Sequence, residues 1–186
     1  MSASPSFSSS PRYTGVAMAL HWIAAVGILA ALAMGVYMVD LQLSPSKIKL
    51  FNWHKWLGMT LLALAALRLL WRLLNPPPPM PASMPAWQRG VAHGVHWALY
   101  ALFFAIPLVG WAYSSAAGFP IVWFGVLPLP DWVPKDPALA ELLKPIHKWL
   151  AYGLAALIAA HILAVFKHML MDDDDLLLRM IPGRSR

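Results

Sequence analysis

The 186 residues include no cysteine, and that absence removes a large share of protein chemistry. Structural disulfides, thiolate zinc sites, iron–sulfur clusters and thioether-attached haem all need the missing thiol. Charge is scarce too: 12% of residues are charged, against 60% hydrophobic. A soluble domain of this size would aggregate with so little charged surface, so the chain reads as a single-domain membrane protein. Carboxylates are the scarcest charge, 8 against 14 Lys and Arg. The resulting +6 points to anionic lipid and loop topology rather than to nucleic acid. No Walker, Rossmann or HExxH pattern is present.

What the chain does have is apolar length. Four runs, near 14–38, 51–74, 91–114 and 146–170, each reach the roughly 20 residues a membrane span requires. Backbone polar groups in lipid must be paired internally, so the expected fold class is an all-α integral membrane protein, a four-helix transmembrane bundle. The Ser-rich leader over 1–13 reads as disordered, 14–171 as the bundle and 172–186 as a C-terminal tail. A cleaved signal peptide fits poorly, because the run after Arg12 outlasts an h-region and cleavage near "ALAMG" would discard His21. Prolines 76–79 end the second span, and Pro107 is expected to kink the third. The acidic run 172–175 reads as a solvated segment after the last helix.

An even number of spans puts both termini on one side. That side carries Arg12, Arg68, Arg72, Arg89, Lys167, Arg179, Arg184 and Arg186; the other carries Lys47, Lys49, Lys55, Lys135, Lys144 and Lys148. Eight cations against six favour cytoplasmic termini. Seven tryptophans, among them Trp53, Trp123 and Trp149, fall near the expected surfaces, as an aromatic belt would.

The histidines sort by depth. In "HKWLAYGLAALIAAH", His147 and His161 are fourteen residues apart, about 40° short of four full turns and roughly 21 Å along the axis. Both rings therefore leave one face and are expected to aim at one neighbour. His54 matches His147 in depth near one surface, and His21 matches His161 nearer the other. His93, His96 and His168 read as interfacial residues reaching for headgroups. Ionisable side chains inside a membrane are costly and point to function. Two neutral imidazoles facing each other across a gap suit the axial positions of a b-type haem iron, which needs no cysteine.

Smaller signals accompany the pairs. Gly58 lies one turn from His54 and would admit a flat ring system, whereas Gly27 and Gly153 align less well; ordinary helix packing explains a lone glycine equally well. Arg68, fourteen residues after His54, and Arg72, one turn further on, suit haem carboxylates as forked donors. Their alternative is snorkelling to lipid phosphate.

With these residues in view the chain resembles the bacterial cytochrome b561 family. The resemblance runs from "ALHW" to "LLLRM" and is carried by "LHW", "HKWLGMTLLALAALRLLWRL", "AHGVHWALYALFFAIPLVG" and "IHKWLAYGLAALIAAHILAVFKH". It implies a multi-pass di-haem protein of the bacterial inner membrane. His21 with His161 would hold a haem on the cytoplasmic side, and His54 with His147 one on the periplasmic side. It further implies two b haems and electron passage from a periplasmic donor, either superoxide or a reduced protein, to ubiquinone. The best-understood type is a superoxide oxidase, so a membrane oxidoreductase is expected. Lys47, Lys49, Lys55, Lys135, Lys144 and Lys148 would steer a small anion, opposed by Asp40, Asp131, Asp136 and Glu141. His93, His96 and Arg89 are candidate proton or quinone-headgroup contacts.

Three other classes compete. An electron-carrier or anchor subunit for a separate oxidoreductase would use the same haems. A metal transporter would need more carboxylates within the spans. A cofactor-free structural protein would not require depth-matched histidines. Oligomeric state stays open, including a homo-oligomer.

Overall fold

The computed structural model describes residues 12–81, 83–171 and 176–183. Four helices follow in order: α1 (Gly15–Val39), α2 (Pro45–Leu74), α3 (Ala86–Ala116) and α4 (Pro137–Met171). Each is long and apolar enough to cross a membrane. The leader before Arg12 and the acidic run 172–175 lie outside the described residues.

The helices outrun the spans read from hydropathy, and local chemistry explains the difference. The Ser44 hydroxyl accepts from the Lys47 amide and Pro45 opens the helix, so α2 begins six residues before its apolar run. The Asp136 carboxylate accepts from the Ala138 and Leu139 amides, which starts α4 nine residues early. Polar caps extend helices past lipid, where hydropathy is blind. His54 and His147 thus become the tenth and eleventh residues of their helices rather than lying at the tips.

The interior is made of small side chains. Ala24, Ala65 and Ala116 are fully buried, while Ile23, Val26, Leu163 and Leu170 point outward. Lipid offers no hydrophobic drive to bring helices together, so close backbone approach and dispersion must do it. Ala24 of α1, Leu61 and Ala65 of α2 and Phe103 of α3 form the central cluster. A Cβ on Gly27 would stand 2.9 Å from Leu61, so this glycine serves ordinary α1–α2 packing. α1 packs along α2, α2 against α3, and α3 along α4. Among the described residues α4 has no comparable seam with either α1 or α2.

The two ends of the bundle are closed differently. Where the α1–α2 and α3–α4 connections lie (the loop end), α3 stops in a left-handed cap at Gly118, with the Gly118 and Phe119 amides donating to the Ser115 and Ser114 carbonyls. A short antiparallel ribbon follows, β1 (Val122–Trp123) with β2 (Leu127–Pro128), an addition to the expected all-helical fold. At the opposite, terminal end, the tail folds back as a one-turn 3₁₀ helix, Leu178–Met180. Tyr13 donates its amide to the Arg179 carbonyl, Trp22 its indole to Met180, and Arg179 reaches the Pro79 carbonyl at 2.8 Å. Residues 176–183 therefore tie α1 to the α2–α3 connection.

Ala24→Leu adds three carbons where no space exists, and should destabilise the bundle by about 1–3 kcal/mol. A lowered midpoint in a detergent-micelle unfolding titration checks this, with Ala24→Gly as the smaller perturbation.

Candidate functional site

Two couples of imidazoles bridge the seams that the helices leave open. His21 of α1 faces His161 of α4 with ring centroids 6.5 Å apart and planes at 66°. His54 of α2 faces His147 of α4 at 6.2 Å and 84°. The depth matching read from sequence thus holds pair by pair. The expectation of one common neighbour does not: α4 sends His147 to α2 and His161 to α1. The 40° deficit over fourteen residues, together with α4 lying between two helices, turns the rings apart.

The loop-end couple is braced by residues that spacing on their own helices could not reveal. His147 shares a hydrogen bond between Nδ1 and the Ile106 carbonyl, 3.0 Å long. Gly110 sits one turn after Ile106, and a Cβ there would stand 2.9 Å from His147 Cε1. In a helix the side chain at i+4 shields the carbonyl at i, so glycine at 110 opens Ile106 to a side-chain donor. Gly35 of α1 does the same for His54, whose Cε1 a Cβ would approach to 3.3 Å. Gly58 and Gly153, singled out by sequence position, meet nothing within 4 Å of an added Cβ.

The terminal-end couple has a different setting. His96 of α3 stands 5.5 Å from His161, half-buried rather than interfacial. α3 starts at Ala86, so His96 is the eleventh residue of the helix and lies deeper than the apolar run implied. His93 remains exposed. The charge of Arg68 acts on His21, His96 and His161, and its guanidinium lies 5.6 Å over the Tyr100 ring. Arg72 covers Tyr100 and Trp97 at 5.8 and 5.9 Å. No Asp or Glu occurs anywhere in residues 45–116, so neither helix α2 nor α3 supplies these cations with a carboxylate.

A family profile described as "Prokaryotic cytochrome b561" matches residues 12–183. The chain belongs to the prokaryotic cytochrome b561 family. Among curated relatives it is 36% identical to "Cytochrome b561 homolog 2" of Escherichia coli (strain K12) over 183 residues, 97% of this chain and 96% of that one. It is 29% identical to "Probable superoxide oxidase CybB" of Yersinia pestis over 178 residues, 93% of this chain and 97% of the relative. "Cytochrome b561 homolog 1" of the same E. coli strain is 38% identical over 112 residues, 59% of this chain and 58% of that one.

This cytochrome b561 is a membrane electron-transfer protein that binds b-type haem. Its imidazole couples fit such a group. Two imidazoles bonded through nitrogen to opposite sides of one metal, at about 2 Å per bond, hold their centroids roughly 6.3 Å apart. The couples stand at 6.5 and 6.2 Å. Edge-to-face ring contact also allows such distances. The ring nitrogens add a second observation: Nδ1 of His21 is buried with no hydrogen-bond partner. An orphaned buried polar atom costs about 1–3 kcal/mol, which apolar packing alone would not select.

Gly110→Ala should displace the His147 ring and break its bond to Ile106, lowering stability by about 1–3 kcal/mol. Gly90→Ala, unopposed within 4 Å on an exposed helix face, should be neutral or slightly stabilising. Circular-dichroism melts of both variants in one detergent check the contrast.

Proposed function

We propose that this cytochrome b561 carries electrons across the bacterial inner membrane, from superoxide at the loop end to ubiquinone at the terminal end. The observation that carries the reading is the stacking of two imidazole couples, at 6.5 and 6.2 Å, on α4, which packs along α3 and stands off from α1 and α2. His21 and His161 would hold one b haem, and His54 and His147 a second. Bound haem supplies the one-electron chemistry.

The protein's own groups do the rest. Nδ1 of His147, donating to Ile106, leaves Nε2 as the nitrogen with a free lone pair and fixes the ring about its axis. Gly35 and Gly110 leave the room that both loop-end rings occupy. Arg68 and Arg72 offer cations to haem carboxylates in a stretch of chain that has no acid of its own. Two imidazoles committed to each haem would suit electron transfer over oxygen activation.

Superoxide as donor rests on two supports. A similar protein carries superoxide oxidase in its name. The loop end holds six lysines against four carboxylates. Two of the six are committed: Lys47 reaches the Val39 carbonyl, and Lys55 the Phe119 and Pro120 carbonyls. Lys49, Lys135, Lys144 and Lys148 remain exposed and able to steer an anion. The larger count of cations at the terminal end supports a cytoplasmic placement of that end. Quinone is assigned there too, beside His96, with His93 and Arg89 nearer the surface.

Purified protein should show a reduced-minus-oxidised b-haem spectrum with two haems per polypeptide. His161→Ala should leave one, and His93→Ala should leave two. Haem content unchanged in His161→Ala would overturn the ligand assignment.

Superoxide should reduce the purified protein without any added protein, and should drive turnover when a soluble quinone is supplied. The initial rate should fall several-fold with rising salt, because screening shortens the lysine field to within about 10 Å at 0.1 M. A rate indifferent to salt removes superoxide steering. Reduction only through an added oxidoreductase would mark a carrier subunit instead.

A further inference from the structure

Within the α3–α4 connection, residues 119–130 read "FPIVWFGVLPLP", twelve residues without one charged side chain. A loop bathed in water is normally polar, because its backbone and side chains face solvent. This one instead exposes Phe119, Phe124, Val126 and Leu127, with Val126 83% accessible.

Much of its backbone is paired within the protein. The Leu129 amide donates to Ile121 at 2.8 Å, Gly125 to Val122 at 2.9 Å and Val126 to Trp123 at 3.1 Å. Prolines at 120, 128 and 130 bring no amide donor. Two of its carbonyls also accept from α2: Trp56 donates its indole to Val122 at 2.6 Å, and Lys55 its ammonium to Phe119 at 3.2 Å. Irregular backbone survives at membrane depth only when its polar groups are satisfied in this way.

The ribbon also lies beside the helices rather than above them. The Trp123 indole donates to the Trp56 carbonyl and the Thr60 hydroxyl. Thr60 is six residues beyond His54, roughly 9 Å further toward the middle of α2. Between the ribbon and the helices runs a cleft of about 300 Å³, walled by Met59, Ala63, Phe104, Trp123 and Leu129 with almost no polar surface. Phe124 is held at φ +51° at the ribbon's tip, a left-handed conformation unfavourable by about 1–2 kcal/mol for a residue with a Cβ, and its ring stays exposed.

We propose that residues 119–130 form a re-entrant ribbon seated in the hydrocarbon of the leaflet at the loop end, its outer face and cleft in contact with lipid acyl chains. The partner is the bilayer itself. This is independent of the haem assignment.

The absence of native cysteine makes a direct test available. Val126→Cys and Phe119→Cys are each labelled with a nitroxide and placed in nanodiscs of phosphatidylethanolamine and phosphatidylglycerol. Collision with oxygen, which dissolves in hydrocarbon, is compared with collision with a water-soluble nickel chelate. Both labels should be relaxed more by oxygen than by nickel, as a label at Val26 on the outer face of α1 should be. A label at Asp131, just past the ribbon, should favour nickel. Nickel-dominated relaxation at either 119 or 126 overturns the proposal.

Discussion

The arrangement depends on α4 being held against α3 while standing off from α1 and α2, so that imidazoles rather than backbones meet across the seams. In water such a seam would collapse under the hydrophobic effect. In lipid that force is absent between helices, and association follows from how closely backbones can approach. Small residues decide where approach is close: Ala24, Ala65 and Gly27 draw α1 onto α2. Where α4 faces those two helices, histidines set the spacing instead. Nδ1 of His21 is buried there without a partner, a cost that apolar packing alone would not select.

The two ends of the seam solve different problems. At the loop end the ring of His147 is fixed by a backbone carbonyl, and both rings of its couple lean on glycines. At the terminal end the couple keeps polar company, with His96, Arg68 and Arg72 around it and the folded tail below. A rigid setting suits a group that only exchanges electrons. A cationic and protonatable setting suits an acceptor that also takes up protons. The asymmetry therefore matches the direction of transfer proposed for this cytochrome b561.

Much of this was legible in the chain. Apolar run length revealed four helices because the bilayer imposes a fixed span. Counting along those runs matched His21 with His161 and His54 with His147, since rise per residue converts directly into depth. Helix ends were less legible: the caps at Ser44 and Asp136 act through hydrogen bonds, not hydropathy. That error carried over to His96, whose depth was understated by the late start assigned to α3. Gly58 attracted notice through its spacing from His54, whereas Gly35 and Gly110 did not, because the glycines that receive the rings belong to other helices.

The amino-acid sequence by itself determined membrane insertion, the number of helices and the level of each histidine, because all three follow from local composition and a constant helical rise. Only the tertiary structure decided which helix each ring of α4 faces, which carbonyl orients His147 and where the apolar 119–130 segment lies. Those features depend on how helices rotate and lean against one another, and no periodicity within a single helix encodes its neighbour's azimuth.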